Sequence, residues 1–137
     1  MMTSIRTTFF LLILLLLPSA LLNAENIYSD QNREAVAALI GRVVPTHASQ
    51  FEIELIAKDA DEKDLFEIES VNGKIVLRGN NGVSVASALN YYLKNFTHSS
   101  ITWNGTNLNL PDQLPLVPEK IRRKSPYKYR YYLNYCT

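Results

Sequence analysis

A small two-layer α+β domain, an antiparallel sheet covered by helices, is the fold class the sequence predicts, and two observations predict it. Asn72-Gly73 and Asn104-Gly105 each lie between short runs of alternating residues, the pattern of hairpins closed by tight turns. DQNREAVAALIGRVVP and VSVASALNYYLKNF repeat apolar residues at helical spacing. Strands joined through short turns pair antiparallel, and helices with one apolar stripe each need a sheet face to cover. A proline-rich stretch and a tyrosine-rich strand follow this domain.

The chain opens on MMTSIRTTFF, where Arg6 leads into an apolar run from Phe9 to Leu17 that Pro18 breaks. A short basic start, a short apolar core and the small residues of LLNA describe a secretory signal peptide over residues 1–24. Cleavage is expected after Ala24, with Ala20 as the second candidate. The run falls short of the roughly 20 residues a spanning helix needs; a signal anchor is the alternative, because Leu21 and Leu22 extend it. No membrane association is expected after cleavage.

The α+β domain is expected over residues 25–110. Val36, Leu39, Ile40 and Val43 share one face of a first helix, which Ser29 or Asp30 can cap and Pro45 ends. In QFEIELIAK, Phe51, Ile53 and Leu55 alternate with Glu52 and Glu54, a half-buried strand. KDADEKD, residues 58–64, is a charged loop; it lacks the fixed ligand offsets and turn glycine of a calcium loop.

LFEIESVNGKIVLRG carries the clearest signal. A turn at Asn72-Gly73 pairs Ser70 with Ile75, Ile68 with Leu77 and Phe66 with Gly79, and sets Glu67 opposite Arg78 on the other face. After Asn80-Asn81-Gly82, the residues Val85, Ala88, Leu89, Tyr92, Leu93 and Phe96 form the wide stripe of a core-facing helix. In SITWNGTNLNLP the same hairpin logic sets Ile101 opposite Leu108, with Trp103 at the core or its edge. From Pro111 the composition shifts to PDQLPLVPEKIRRKSP, expected as an extended linker over 111–126 that packs against nothing. YKYRYYLNYCT, residues 127–137, holds five of the eight tyrosines and reads as a buried strand.

Composition excludes several function classes. Formal net charge is +1, and the single basic cluster KIRRK sits beside Pro126, so no nucleic-acid footprint is present. One cysteine, Cys136, excludes an internal disulfide framework. His47 and His98 have no ligand-spaced neighbours, so no metal site is expected. No serine lies in a nucleophile elbow, no glycine-rich loop opens a helix, and no carboxylate falls in an apolar pocket. Asn95-Phe96-Thr97 and Asn104-Gly105-Thr106 match the N-glycosylation acceptor pattern, with Asn104 at the more exposed turn.

The run ALNYYLKNF…ITWNGTNLNLPDQLPLVP…YKYRYYLNYCT resembles the N-terminal region of the alpha-N-acetylglucosaminidases. Its most specific pieces are Tyr91-Tyr92-Leu93, Trp103-Asn104-Gly105, the leucine-and-proline stretch and YRYYLNYCT. The resemblance implies that the domain precedes a (β/α)8 catalytic barrel and that residues 127–137 are the start of its first strand, left without neighbours here. Active-site residues of such barrels emerge at the carboxyl ends of strands. By resemblance, therefore, Asn134 and Cys136 would line the pocket for terminal N-acetylglucosamine. The family hydrolyses terminal alpha-linked N-acetylglucosamine with retention through two glutamates about 5 Å apart, both on later barrel strands. Glu52, Glu54, Glu67 and Glu69 match neither, so no catalytic residue is expected in this chain, and no cofactor or metal is implied. The expected partners are the downstream barrel of the same polypeptide and a glycan ending in N-acetylglucosamine, heparan sulfate for an animal-like parent. The expected location is lysosomal or extracellular, or periplasmic for a bacterial parent. A free-standing secreted module binding a glycan or a protein is the alternative reading.

Overall fold

The computed structural model describes residues 29–102 and 104–129; the expected leader 1–24, Trp103, and residues 130–137 with Asn134 and Cys136 lie outside them. The chain divides into two units, Met1–Asn32 and Arg33–Thr137, and the sheet, its covering helix and its core belong to the second. No described helix is long and apolar enough to cross a membrane.

Helix α1 spans residues 29–43. Val36 and Ile40 are buried and Leu39 and Val43 half-buried, the face the spacing predicts. Pro45 stops it, and a turn of 3-10 helix, Pro45–Gln50, follows where the sequence reading had none. Strand β1, Phe51–Leu55, then leads through the acidic loop into β2, Leu65–Val71, and β3, Lys74–Gly79. The β2–β3 hairpin has the predicted register, with Ser70 against Ile75, Ile68 against Leu77 and Phe66 against Gly79. Its turn needs left-handed backbone at both central positions, and Asn72 and Gly73 supply it at φ 51° and 78°.

The sheet itself is mixed, not antiparallel. Its order is β1-β3-β2-β6, and β1 runs parallel to β3, with Phe51 beside Ile75 and Leu55 beside Gly79. Short turns force antiparallel pairing only on the strands they join. The longer stretch 56–64 lets β2 pass beyond β3, so β1 meets β3 in parallel.

The stretch 111–126 is also corrected, for it packs closely. Leu114 and Val117 enter the core, and β6, Ile121–Lys124, becomes the fourth strand, antiparallel to β2 with Ile68 against Ile121 and Leu65 against Lys124. The prolines remove donors but not acceptors, and the strap backbone is held by side chains from the 3-10 turn, β2 and the helix Gly82–Phe96.

Helix α2, Gly82–Phe96, covers the sheet. Val85, Ala88, Leu89, Tyr92 and Leu93 are buried against Ile68, Ile75 and Leu77, and Phe96 is half-buried beside them. Tyr92 meets Phe51 edge-on at 5.6 Å and stacks on Phe96 at 5.4 Å. Each such fully buried side chain contributes about 1.5–3 kcal/mol relative to exposure, so this stripe is the main source of stability. The helix starts so close to the sheet that a Cβ on Gly79 would lie 2.6 Å from the Val85 amide nitrogen. Glycine is there to let strand and helix backbones touch.

A separate two-stranded sheet follows, β4, Ser100–Thr102, and β5, Gly105–Asn107. Ile101 lies opposite Thr106 rather than Leu108. The hydroxyl of Thr102 donates to the Gly105 carbonyl at 3.1 Å and accepts from the Asn104 amide at 3.3 Å, which closes the turn earlier than an Asn-Gly pair alone would. The slip is two residues along β5, so the face of each side chain is unchanged.

Candidate functional site

The chemistry-bearing residues gather on the sheet face away from α2 and at the corner where β6 leaves the domain. Alternation places Glu54, Arg78, Glu67, Glu69, Arg122 and Lys124 on that face. Arg78 bridges Glu54 on one neighbouring strand and Glu69 on the other. Burial would lower its guanidinium, but the two carboxylates outweigh that and raise it. Glu67, opposite Arg78 in register, ion-pairs instead with Arg122 at 2.8 Å and Lys120 at 2.6 Å. Arg122 faces Glu67 from the other side, so the carboxylate binds the strand that the sequence reading left unpaired.

The acidic loop repeats this on its outer side. Asp59 and Asp61 both hold Lys124 at 2.8 Å, Asp59 also reaches Arg122 at 3.3 Å, and Glu62 holds Lys128 at 2.7 Å. Lys124 holds Asp59 and Asp61 below the ordinary carboxylate range, and Lys128 does the same for Glu62. Burial pushes Glu67 up, but hydrogen bonds and charge from Lys120, then Arg122, outweigh it and hold it low. A general acid needs the opposite, a carboxyl raised toward neutrality. Among the described residues these carboxylates are counter-charges that fasten loop and strand together.

Beside them is a cavity of about 260 Å³, lined by Leu65, Phe66, Ser84, Ser87, Arg123 and Ser125 among others. Arg123 reaches over the Tyr91 ring at 5.9 Å, and Tyr91 leans on Phe66 at 5.7 Å. Asn80, buried, organises this corner. Its Oδ1 accepts from the Leu65 amide at 3.2 Å and the Ser84 hydroxyl at 2.9 Å, and its Nδ2 donates to the Lys63 carbonyl at 2.7 Å. Asn81 caps α2 through the Ser84 amide at 2.8 Å and donates to Asp64 at 2.7 Å. Consecutive asparagines before a helical stripe signal a cap in sequence; that the first is a buried hub does not show there.

Four side chains fix the proline-rich strap. His47 Nε2 donates to the Pro111 carbonyl at 3.0 Å, and its Nδ1 shares a hydrogen bond with the Thr46 hydroxyl at 2.9 Å. Gln50 donates to the Asp112 carbonyl and accepts from the Leu114 amide, both at 2.9 Å. Tyr92 donates its hydroxyl to the Pro115 carbonyl at 2.6 Å, and burial pushes that phenol up to about 12. Ser70 accepts from the Val117 amide at 2.7 Å. His47 is therefore a structural clamp. His98, left-handed at φ 50°, turns the chain out of α2.

Of the sequence-predicted site residues, Asn134 and Cys136 lie outside the described residues. Asn95 is on the last turn of α2, its Nδ2 donating to the Tyr91 carbonyl at 2.8 Å, and Asn104 is exposed on the β4–β5 turn. Asn95 and Asn104 stand on separate elements and form no joint site. No cluster of three metal-ligating side chains exists among the described residues.

Comparison with known proteins places this architecture. Residues 34–116 match the family "Alpha-N-acetylglucosaminidase (NAGLU) N-terminal domain". The chain is 35% identical over 115 residues to the alpha-N-acetylglucosaminidase of Homo sapiens, covering 79% of this chain and 15% of that protein. A family 89 glycoside hydrolase from Clostridium perfringens, solved with 2-acetamido-1,2-dideoxynojirmycin, superposes with a TM-score of 0.73 at 34% identity. That match covers 78% of this chain and 12% of the bacterial one. A form of the Clostridium perfringens enzyme with two glutamates changed to glutamine, solved with GlcNAc-alpha-1,4-galactose, superposes at 0.71 and 34% identity, over 80% and 13% of the two chains. The chain thus spans about an eighth to a seventh of the length of these relatives.

Proposed function

The chain belongs to the alpha-N-acetylglucosaminidase N-terminal domain family, and from that premise we propose that it is the N-terminal accessory domain of a secreted or lysosomal retaining exo-glycosidase that releases terminal alpha-linked N-acetylglucosamine. The observation that carries this reading is the match itself. More than three quarters of the chain superposes on a glycoside hydrolase at 34% identity, yet it corresponds to 12% of that enzyme.

The catalytic glutamates lie outside this chain in this reading. A retaining pair needs one carboxyl protonated and one free to attack, about 5 Å apart. Glu54 and Glu69 are both committed to Arg78, and Glu67 to Lys120 and Arg122. Their work is to hold strands, and the barrel that does chemistry is the partner this domain supports. The substrate is a glycan ending in N-acetylglucosamine, heparan sulfate in the animal-like case, reached after the leader over 1–24 is removed.

The test is an assay of the highly purified chain with an aryl alpha-N-acetylglucosaminide. Turnover indistinguishable from buffer is expected, and steady hydrolysis that co-purifies with the chain overturns the reading. Sequencing the transcript past the Thr137 codon supplies the second arm, since the reading expects an open frame that encodes a barrel. In that longer protein Asn134 and Cys136 line the sugar pocket. Asn134→Ala should raise KM for the aryl glycoside several-fold, and an unchanged KM removes Asn134 from the pocket.

A further inference from the structure

Two glycosylation acceptor patterns occur in the sequence, and the fold treats them differently. Asn95-Phe96-Thr97 closes helix α2. Thr97 is 9% exposed and its hydroxyl donates to the Leu93 carbonyl at 2.7 Å, while the Asn95 carboxamide donates to the Tyr91 carbonyl at 2.8 Å. Both side chains the reaction needs are turned back onto their own helix, and that helix is the layer that covers the sheet. Asn104-Gly105-Thr106 lies on the β4–β5 hairpin, a two-stranded sheet apart from the main one, and all three residues are exposed. The turn is held through the Thr102 hydroxyl and the backbone of Asn104 and Gly105, which leaves the Asn104 carboxamide and the Thr106 hydroxyl uncommitted to that turn.

We propose that Asn104 is an N-glycan attachment site and that Asn95 is not. The inference rests on the secretory reading above, because the co-reactant, a lipid-diphosphate-linked oligosaccharide, is met only in the secretory lumen. In the transfer, Asn104 Nδ2 forms a bond to the anomeric carbon of the first sugar. The bond from that carbon to the diphosphate oxygen breaks, its electron pair leaves with the lipid diphosphate, and one amide proton is released to base. The acceptor pattern needs the carboxamide and the hydroxyl two residues on presented together to the transferring enzyme, as on a surface loop. A hairpin turn allows this, and a helix end whose threonine is tied to a carbonyl opposes it. A bulky glycan at Asn104 also meets no packed neighbour, since β4 and β5 expose every described residue from Ile101 to Asn107.

The experiment expresses the full chain in a secretory host and maps glycopeptides by mass spectrometry after amidase release, which leaves aspartate wherever a glycan sat. Occupancy at Asn104 alone is expected. One glycan's mass should vanish in Asn104→Gln and in Thr106→Ala, and persist in Thr106→Ser and Asn95→Gln. A parallel arm replaces residues 1–24 with a leader of proven function. Lumenal protein unmodified at Asn104 in that arm overturns the inference, as does occupancy at Asn95. Failure of the native leader alone, with Asn104 modified behind the replacement, overturns the secretory reading and leaves the attachment site standing.

Discussion

Glu67 ties β6 to β2 by charge as well as by the backbone ladder. It is 5% exposed and takes two cations from the segment that follows the prolines. Removing the carboxylate frees Lys120 and Arg122, which are half exposed and resolvate, so Glu67→Gln should cost only about 1 kcal/mol at neutral pH. The reverse change is costlier. Lys120→Ala with Arg122→Ala strands a buried carboxylate and should cost at least about 2 kcal/mol in urea denaturation. The pH sign follows from the lowered pKa. The contribution is present above the ordinary value of 4.5 and is lost as pH falls through the lower folded value. Stability curves of the parent and Glu67→Gln should therefore converge only below pH 4.5; convergence at higher pH would show that Glu67 is not ion-paired. None of this asymmetry is legible in the sequence, which shows Glu67 facing Arg78 and says nothing of a strand arriving 55 residues later.

At the level of elements, what the sequence revealed and what it hid divide by range. The β2–β3 register and the α2 stripe are local patterns, an Asn-Gly turn and a repeat of three and four, and both stand in the structure as read. The parallel pairing of β1 with β3 is invisible, because alternation in FEIEL fixes a face but not a direction. Strand β6 is hidden more deeply. IRRK has one apolar residue, so the hydrophobic period gives no strand signal, and only its partner row on β2 makes it one. Deleting residues 119–137 should accordingly expose β2 as a bare edge carrying Ile68 and Leu65. The truncated chain should be less stable and should aggregate, where an unpacked linker would have made the same deletion harmless or helpful. A monomeric truncation with an unchanged urea midpoint would show that β6 adds nothing.

For the molecule as a whole, the strap moves the end of the folded unit. The sequence reading closed the domain at residue 110; the structure carries its core through Leu114 and Val117 and its sheet through Lys124. Limited proteolysis should therefore leave a resistant fragment that still contains Arg122–Lys124. Accumulation of a stable fragment ending near residue 110 would contradict the packed strap. The family match stops at residue 116, so β6, the last described strand, lies beyond the matched segment. That placement has a consequence for biosynthesis. The ribosome delivers β1, β2, β3 and α2 first, but the row of donors and acceptors along β2 stays vacant until Lys124 clears the exit tunnel. By then the other three strands and α2 are already out, so the nascent unit stays unsealed until this strand arrives and the sheet closes in one late step.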